Sequence, residues 1–271
     1  MSSLNQMLDV LHLFSTREPV WTIDDATERL GRSRSTIYRY FRALTDSGLL
    51  VPMASGAYTL GPVILKLDRQ IRLTDPLLRV APPLMAQLRE ESRAIVMLGR
   101  FYPNTVLCIH QEGDAEDIGV SFARGRTMPL FYGATTKIIL ANLATRRLKD
   151  IFLEQAQEIR EAGLGNDWNA FRAHLRAIRK AGYYVSEAGE VDPGVVGVGA
   201  PIFGGQGEIL ASVSMAISEK RCTPEATREF AMMVRGTAEA IGDEMARLEE
   251  ALGLGGQPQA EPDLKAAATR S

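Results

Sequence analysis

Apolar residues recur at three-and-four spacing through Ile37, Tyr40, Phe41 and Leu44, which predicts an α-helix with one buried stripe. The opposite face carries Ser35, Arg39 and Arg42, flanked by Thr36 and Tyr38, with Arg34 at the N-terminal end. Upstream, Thr22 and Asp25 have the spacing of a capping box that starts a helix running to Leu30, and Gly31 marks a tight turn between the two helices. Helix, glycine turn and helix make the outline of a helix-turn-helix DNA reader. Before this pair, Leu4, Met7, Leu8, Leu11, Leu13 and Phe14 predict an amphipathic N-terminal helix. After it, Leu49 to Pro52, a turn through Met53 to Ala57, and Tyr58 to Leu60 read as a two-stranded wing, with Gly56 supplying the turn.

The pattern changes beyond the wing. Gly61-Pro62 opens a stretch to Leu73 that mixes apolar and charged residues, as a connecting helix does. Asp75-Pro76 begins another helix, with Leu77, Leu78, Val80, Leu84, Met85 and Leu88 on its apolar side and a kink or break expected at Pro82-Pro83. Strand-like runs follow at Ala94 to Leu98, Thr105 to His110 and Ile118 to Phe122. Thr135 to Leu143, Leu148 to Phe152 and Trp168 to Ala181 read as helices and Tyr183 to Ser186 as a short strand. Val195 to Phe203 and Ile209 to Ala216 pair across a glycine-rich turn, and Thr223-Pro224-Glu225 caps a long last helix. Strands flanked by helices with long connections at one end form the type of α+β module that holds a small molecule. The domains expected are a winged helix-turn-helix over residues 1–60, a linker helix over 61–74, a ligand-holding domain over 75–250 and a disordered tail over 251–271.

Composition narrows the class. A chain of 271 residues with 45% hydrophobic residues has room for two cores. No apolar run approaches the roughly 18 residues a bilayer span needs, and the N-terminus has no secretory pattern, so a cytoplasmic protein is expected. Cys108 and Cys222 form no paired motif, which argues against a disulfide or a metal site, and Cys108 is expected to be a buried thiol. His12, His110 and His174 lie far apart, and no HExxH, GxSxG or phosphate-binding loop is present, so no catalytic residues and no cofactor are expected and the chain is not expected to be an enzyme.

Charge bears on the partner. Four arginines and no acid lie between Gly31 and Leu44. Arginine forks onto guanine edges or phosphates, while hydroxyls and the first helical amides hold phosphates. Such a face taken alone also fits a merely solvated helix; its place between a glycine turn and a wing favours DNA. Ser55 and Gly56 at the wing tip either reach the backbone of DNA or form a plain hairpin turn. Residues 1–74 carry 9 Lys+Arg against 7 Asp+Glu, too weak a field for a monomer to hold a polyanion, so a dimer presenting two reading helices to a double-stranded, pseudo-palindromic operator is expected.

Five segments in series then resemble the IclR-type transcriptional regulators over about residues 3–250. They are Ser33-Arg34-Ser35-Thr36-Ile37-Tyr38-Arg39 with Gly48-Leu49, Tyr58-Thr59-Leu60-Gly61, Pro129-Leu130 leading to Lys137, Gly182-Tyr183, and Pro193-Gly194-Val195 through Phe203. The resemblance implies a winged helix joined to a GAF-like effector domain, and a DNA-binding regulator of catabolic genes whose operator affinity responds to a small organic acid, aromatic acids included. It implies a homodimer or a dimer of dimers. It further implies an effector pocket lined by Met128, Ala134, Thr135, Glu187, Val195, Gly197, Ser214 and Ala216. A helix N-terminus at Ala134 and Thr135 suits a carboxylate, Ser214 offers a hydroxyl, and Met128 and Val195 give an apolar wall. Met128 and Val195 equally fit ordinary core, Ser214 a hydroxyl satisfied within the sheet, and Glu187 a solvated acid. The chain departs from the family pattern at Phe131-Tyr132-Gly133 and at Thr136, which changes the size and polarity of the pocket. Lys137 is expected to support structure or a surface ion pair. The alternatives are a regulator without a working pocket and an enzyme on a GAF-like fold.

Overall fold

A computed structural model of the protein describes residues 3–103, 105–114, 119–121 and 123–252. They fall into two compact units that part between Asp75 and Pro76. In the first, α1 (Ser3–Asp9) passes into a 3-10 turn (Val10–Leu13), followed by α2 (Ile23–Leu30), α3 (Arg34–Asp46), β1 (Leu50–Pro52), β2 (Tyr58–Leu60) and α4 (Pro62–Thr74). Thr22 closes the expected capping box on Asp25: its hydroxyl accepts from the Asp25 amide at 3.1 Å while the carboxylate accepts from the Thr22 amide. Gly31 ends α2 at φ 62°, a left-handed conformation that glycine takes without strain. Ser33 then caps α3.

The predicted stripe of α3 is buried: Ile37, Tyr40, Phe41 and Leu44 pack with Val10, Trp21, Ala26 and Leu50. The Tyr58 ring meets Phe41 edge-on at 4.9 Å, and the Trp21 amide donates to the Tyr58 carbonyl, so the wing is stitched to the helices. The N-terminal segment differs from the expected pattern, because Leu4 and Leu8 are exposed and Val10 is the fully buried residue. The chain tightens there from about 3.6 to about 3.0 residues per turn, which changes the residues that face inward.

The second unit runs α5 (Leu77–Ser92), β3 (Ile95–Tyr102), β4 (Thr105–Glu112), β5 (Thr127–Met128), α6 (Ala134–Asn142), α7 (Thr145–Glu154), α8 (Ala156–Glu161), α9 (Trp168–Ala181), β6 (Tyr184–Val185), β7 (Val195–Phe203), β8 (Ile209–Ser218) and α10 (Pro224–Ala251). The strands form one antiparallel sheet in the order β5-β4-β3-β8-β7-β6. Alternation along the strands feeds two cores. Val96, Leu98, Val198, Ile202, Val213 and Met215 pack with α5 and α10, whereas Ile95, Met97, Cys108, Val195 and Ala216 pack with α6, α7 and α9.

Three expectations change. Helix α5 continues through Pro82 and Pro83 without a break, its buried Leu77, Ala81, Met85 and Leu88 packed in the sheet core. Residues 119–121 form no strand, while Ile118 and Phe122 lie outside the described residues; β5 is the strand that pairs with β4 on the side away from β3. Helix α10 extends to Ala251, and the rest of the expected tail, residues 253–271, lies outside the described residues.

Helix α6 is seated on glycines. A Cβ on Gly99 of β3 would stand 2.2 Å from the Thr135 methyl, and Cβ atoms on Gly197 and Gly199 of β7 would press on Ala134 at 3.3 Å. Gly99→Ala is therefore expected to destabilise the protein by about 1–3 kcal/mol in urea unfolding. Gly236→Ala, in open space on α10, is expected to stabilise it by roughly 0.4–1 kcal/mol.

Candidate functional site

Two sites emerge, one in each unit. On α3, Ser35, Tyr38, Arg39 and Arg42 are exposed on the side away from the buried stripe, with Thr36 half-buried. Thr36 is drawn into the helix start, its hydroxyl 2.9 Å from that of Ser33 and its amide donating to the Ser33 hydroxyl. Arg34 is exposed and ion-paired: its Nε donates to Asp24 at 2.6 Å. Hydrogen bonding and the charge of the partner lower the Asp24 pKa and raise that of Arg34. Both groups stand in solvent, so the pair can open when a phosphate is offered to the guanidinium. Arg42 lies 3.9 Å from Asp46, an i,i+4 pair equally exposed. Ser55 and Gly56 are exposed in the turn between β1 and β2.

The second site is a cavity of about 50 Å³ between the start of α6 and the sheet. It is lined by Met128, Ala134, Thr135, Val195, Gly197, Ser214 and Ala216, so those residues, separated widely in sequence, meet at one place. Gly133 creates the opening: its φ of 83° turns the chain from β5 into α6, and its amide donates to Glu190 Oε1 at 2.8 Å. The next amides, of Ala134, Thr135 and Thr136, head the helix without intrahelical acceptors, and the positive end of the dipole lies at the cavity wall. The Thr135 and Ser214 hydroxyls are 2.6 Å apart, one donating to the other.

Glu187 is exposed and outside this lining; Ser186, one residue earlier, is buried in its place and accepts from the Gly197 amide at 2.8 Å. Of the aromatic pair, Tyr132 lines the cavity whereas Phe131 is buried in the core beneath α6. Met97, Val120, Val191 and Asp192, which no motif in the sequence singles out, also line the cavity. Asp192 carried a signal, an acid immediately before the Pro193-Gly194 turn that leads into β7.

Behind the cavity, Lys137 is buried instead of forming a surface pair. Its ammonium contacts Glu190 at 2.5 Å and donates to the Tyr184 hydroxyl at 3.1 Å. Burial opposes the charge of Lys137, but the hydrogen bonds it donates to Glu190 and Tyr184, with the charge of Glu190, outweigh it and raise the pKa. Because Glu190 also accepts from Gly133, this ion pair ties the β6–β7 connection to the turn that starts α6. His174 of α9 adjoins the cluster; burial, then the nearby Lys137 charge, lowers its pKa. Cys108 is a free, fully buried thiol whose pKa burial pushes up to about 11, which makes it inert. Among the described residues no group of His, Cys, Asp and Glu could hold a metal ion, and no helix is long and apolar enough to cross a membrane.

An exposed arginine-bearing helix of a winged helix-turn-helix and a cavity-bearing second domain, in one chain, are the parts of a DNA-binding transcriptional regulator. Residues 3–52 match the IclR helix-turn-helix domain and residues 73–243 the C-terminal domain of the bacterial transcriptional regulator IclR. The chain belongs to the IclR family, whose members are DNA-binding regulators and not catalysts, and for which dimerisation is typical. It is 27% identical over 217 residues to the HTH-type transcriptional regulator KipR of Bacillus subtilis, covering 80% of this chain and 86% of that one. Its fold is similar to that of IclR from Thermotoga maritima, with a TM-score of 0.70 and 20% identity over 90% of this chain and 98% of that chain. It is also similar to an IclR homologue from Microbacterium hydrocarbonoxydans solved with 4-hydroxybenzoate, with a TM-score of 0.74 and 20% identity over 91% and 100% of the two chains.

Removing one partner from the buried pair leaves the other charge uncompensated, so Lys137→Met is expected to cost about 3–5 kcal/mol in urea unfolding. Because the His174 pKa is lowered in the folded state, the unfolded chain takes up this proton first as the pH falls. The His174 contribution is therefore fully present above about pH 6.5 and is lost below it. His174→Gln is expected to lose less stability than the wild type between pH 7.5 and 5.5, as read by urea unfolding at each pH.

Proposed function

We propose that the chain binds a pseudo-palindromic operator as a dimer and that a small organic acid, held against the start of α6, alters that binding. The observation that carries the reading is the convergence of a helix N-terminus, two hydroxyls and an apolar wall on one cavity, in a chain that also carries a basic reading helix. In this reading the helix amides and the Thr135 and Ser214 hydroxyls take the carboxylate, while Met128 and Val195 hold the carbon skeleton. Gly197 and Ala216 leave room for it. The antiparallel sheet with helices on both faces supports the GAF-like description of residues 75–250. The 4-hydroxybenzoate bound by the Microbacterium homologue supports an acid as ligand.

On DNA, Arg39 and Arg42 reach base edges or phosphates, and Ser35, Thr36 and Tyr38 hold the backbone. Arg34 leaves Asp24 for a phosphate, and Ser55 and Gly56 lie along the neighbouring strand. A second copy of the chain covers α4, which has no buried residue and exposes Leu65, Leu67, Ile71 and Leu73. Its sequence, apolar over successive turns and placed between the reader and the sensor, fits a seam that sets the spacing of two reading helices. A ligand then acts by favouring one spacing over another. Pairs of dimers on DNA, regulation of catabolic genes and a place in the cytoplasm complete the proposal.

The small volume of the cavity favours a second reading, a regulator whose pocket binds nothing. A thermal-shift screen of organic acids separates the two, since a ligand that binds only the folded chain raises its Tm. The sensor reading expects at least one acid to do so, and no response across the screen supports the second reading.

Arg39→Ala and Arg42→Ala are expected to weaken binding to an operator fragment at least fivefold each at fixed salt, as read by fluorescence anisotropy, and undiminished affinity in both removes α3 as the reading helix. Asp24→Asn, which releases Arg34 and removes a negative charge near the phosphates, is expected to strengthen binding to non-operator DNA in the same assay.

A further inference from the structure

One charged side chain in the cavity wall is unaccounted for by a pocket built only for an acid. Asp192 is 95% buried by its relative exposure of 5%, and it lines the same cavity as Ala134, Thr135 and Ser214. Two donors from one residue hold it: the Ser121 amide donates to one carboxylate oxygen at 3.0 Å and the Ser121 hydroxyl to the other. An ionised carboxylate accepts up to about four hydrogen bonds, so capacity remains for a donor arriving from the cavity.

The cavity is thus polarised. At one wall are the amides that start α6, with the Thr135 and Ser214 hydroxyls; at another is an acid. Asp192 and the start of α6 line this one cavity, so a molecule that fills it meets both. A second carboxylate brought there is opposed by like-charge repulsion in a site shielded from water, and a bare methyl or ring edge leaves the acid desolvated without a new partner. A hydroxyl or an ammonium group is the complement, because each donates to a carboxylate. Sites built to hydrogen-bond a ligand hydroxyl reject analogues that lack it far more strongly than apolar pockets reject a missing methylene.

We infer that Asp192 makes the pocket selective for a monocarboxylic acid that carries a hydrogen-bond donor, a hydroxyl or an ammonium group, at the end opposite its carboxylate. The inference rests on the reading of the cavity as the effector site. Ser121 is the positioning residue, since it fixes both oxygens of Asp192 and leaves their remaining lone pairs for the ligand. The same arrangement excludes dicarboxylic acids, which the amides of α6 taken alone would accept.

Two matched series test this by calorimetry on the full chain at pH 7. One is 3-hydroxypropanoate, propanoate and malonate; the other is 4-hydroxybenzoate, benzoate and terephthalate. In at least one series the hydroxy acid is expected to bind ten times or more tightly than its parent, with the dicarboxylate weakest. Asp192→Asn keeps an acceptor and a donor for Ser121 but removes the charge, and it is expected to raise affinity for the dicarboxylate at least tenfold. The wild-type comparison needs no variant to fold, and circular dichroism checks the fold of Asp192→Asn. If parent and hydroxy acids bind equally, or if the dicarboxylate binds as well as they do, the role of Asp192 is overturned while the pocket stands. If the variant folds and the dicarboxylate gains nothing, the role is likewise overturned. If no member of either series binds the wild type, the effector reading of the cavity fails first and the role of Asp192 with it.

Discussion

The close approach of one helix to one sheet governs the second unit. The start of α6 rests on Gly99, Gly197 and Gly199, where any side chain would push it away, and Ala134 and Thr135 fill the space that the missing Cβ atoms leave. Helices usually pack on sheets through larger side chains that hold the two backbones apart. Here the backbone of the first turn comes nearer, and the amides that head α6 reach the cavity as a consequence. Gly133 turns the chain into position, Glu190 accepts its amide, and Lys137 holds Glu190. The buried pair is expensive to desolvate and so a poor source of stability; its value is in fixing which way the turn and the β6–β7 connection face.

The first unit is organised by a different constraint, the burial of a single stripe. Ile37, Tyr40, Phe41 and Leu44 commit α3 to one orientation, and the arginines are then outside by the geometry of the helix. The exposed Arg34–Asp24 pair spans the two helices of the reading motif. It holds a cation at the entrance of α3 without consuming it, because an ion pair in water is readily exchanged for a phosphate.

Much of this was legible in the residues. The helix-turn-helix could be read because capping chemistry, a left-handed glycine and a helical stripe are local signals, and each appears where Thr22, Gly31 and Ile37 place it. The strands β7 and β8 were legible as apolar runs across a glycine-rich turn. Local signals fail where neighbours in space decide the outcome. Pro82 and Pro83 read as a kink or a break, and the burial of Leu77, Met85 and Leu88 keeps α5 from breaking there. Glu187 and Ser186 differ by one position in an irregular connection, where no periodicity fixes which side chain turns inward, and Ser186 is the one at the cavity. Asp192 is brought to the cavity by a loop 71 residues away, through Ser121, and no spacing rule links them. The glycine seat is visible only once β3 and β7 lie under α6.

A sensor that binds its ligand through the start of a helix makes a demand that backbone amides can answer. The most direct measurement is a titration of the 15N-labelled full chain with an acid that raises its Tm, following the amides of Ala134, Thr135 and Thr136 by NMR. The account predicts that these three resonances move most and saturate together with the thermal effect. Saturable binding that leaves them in place while resonances elsewhere move would contradict it.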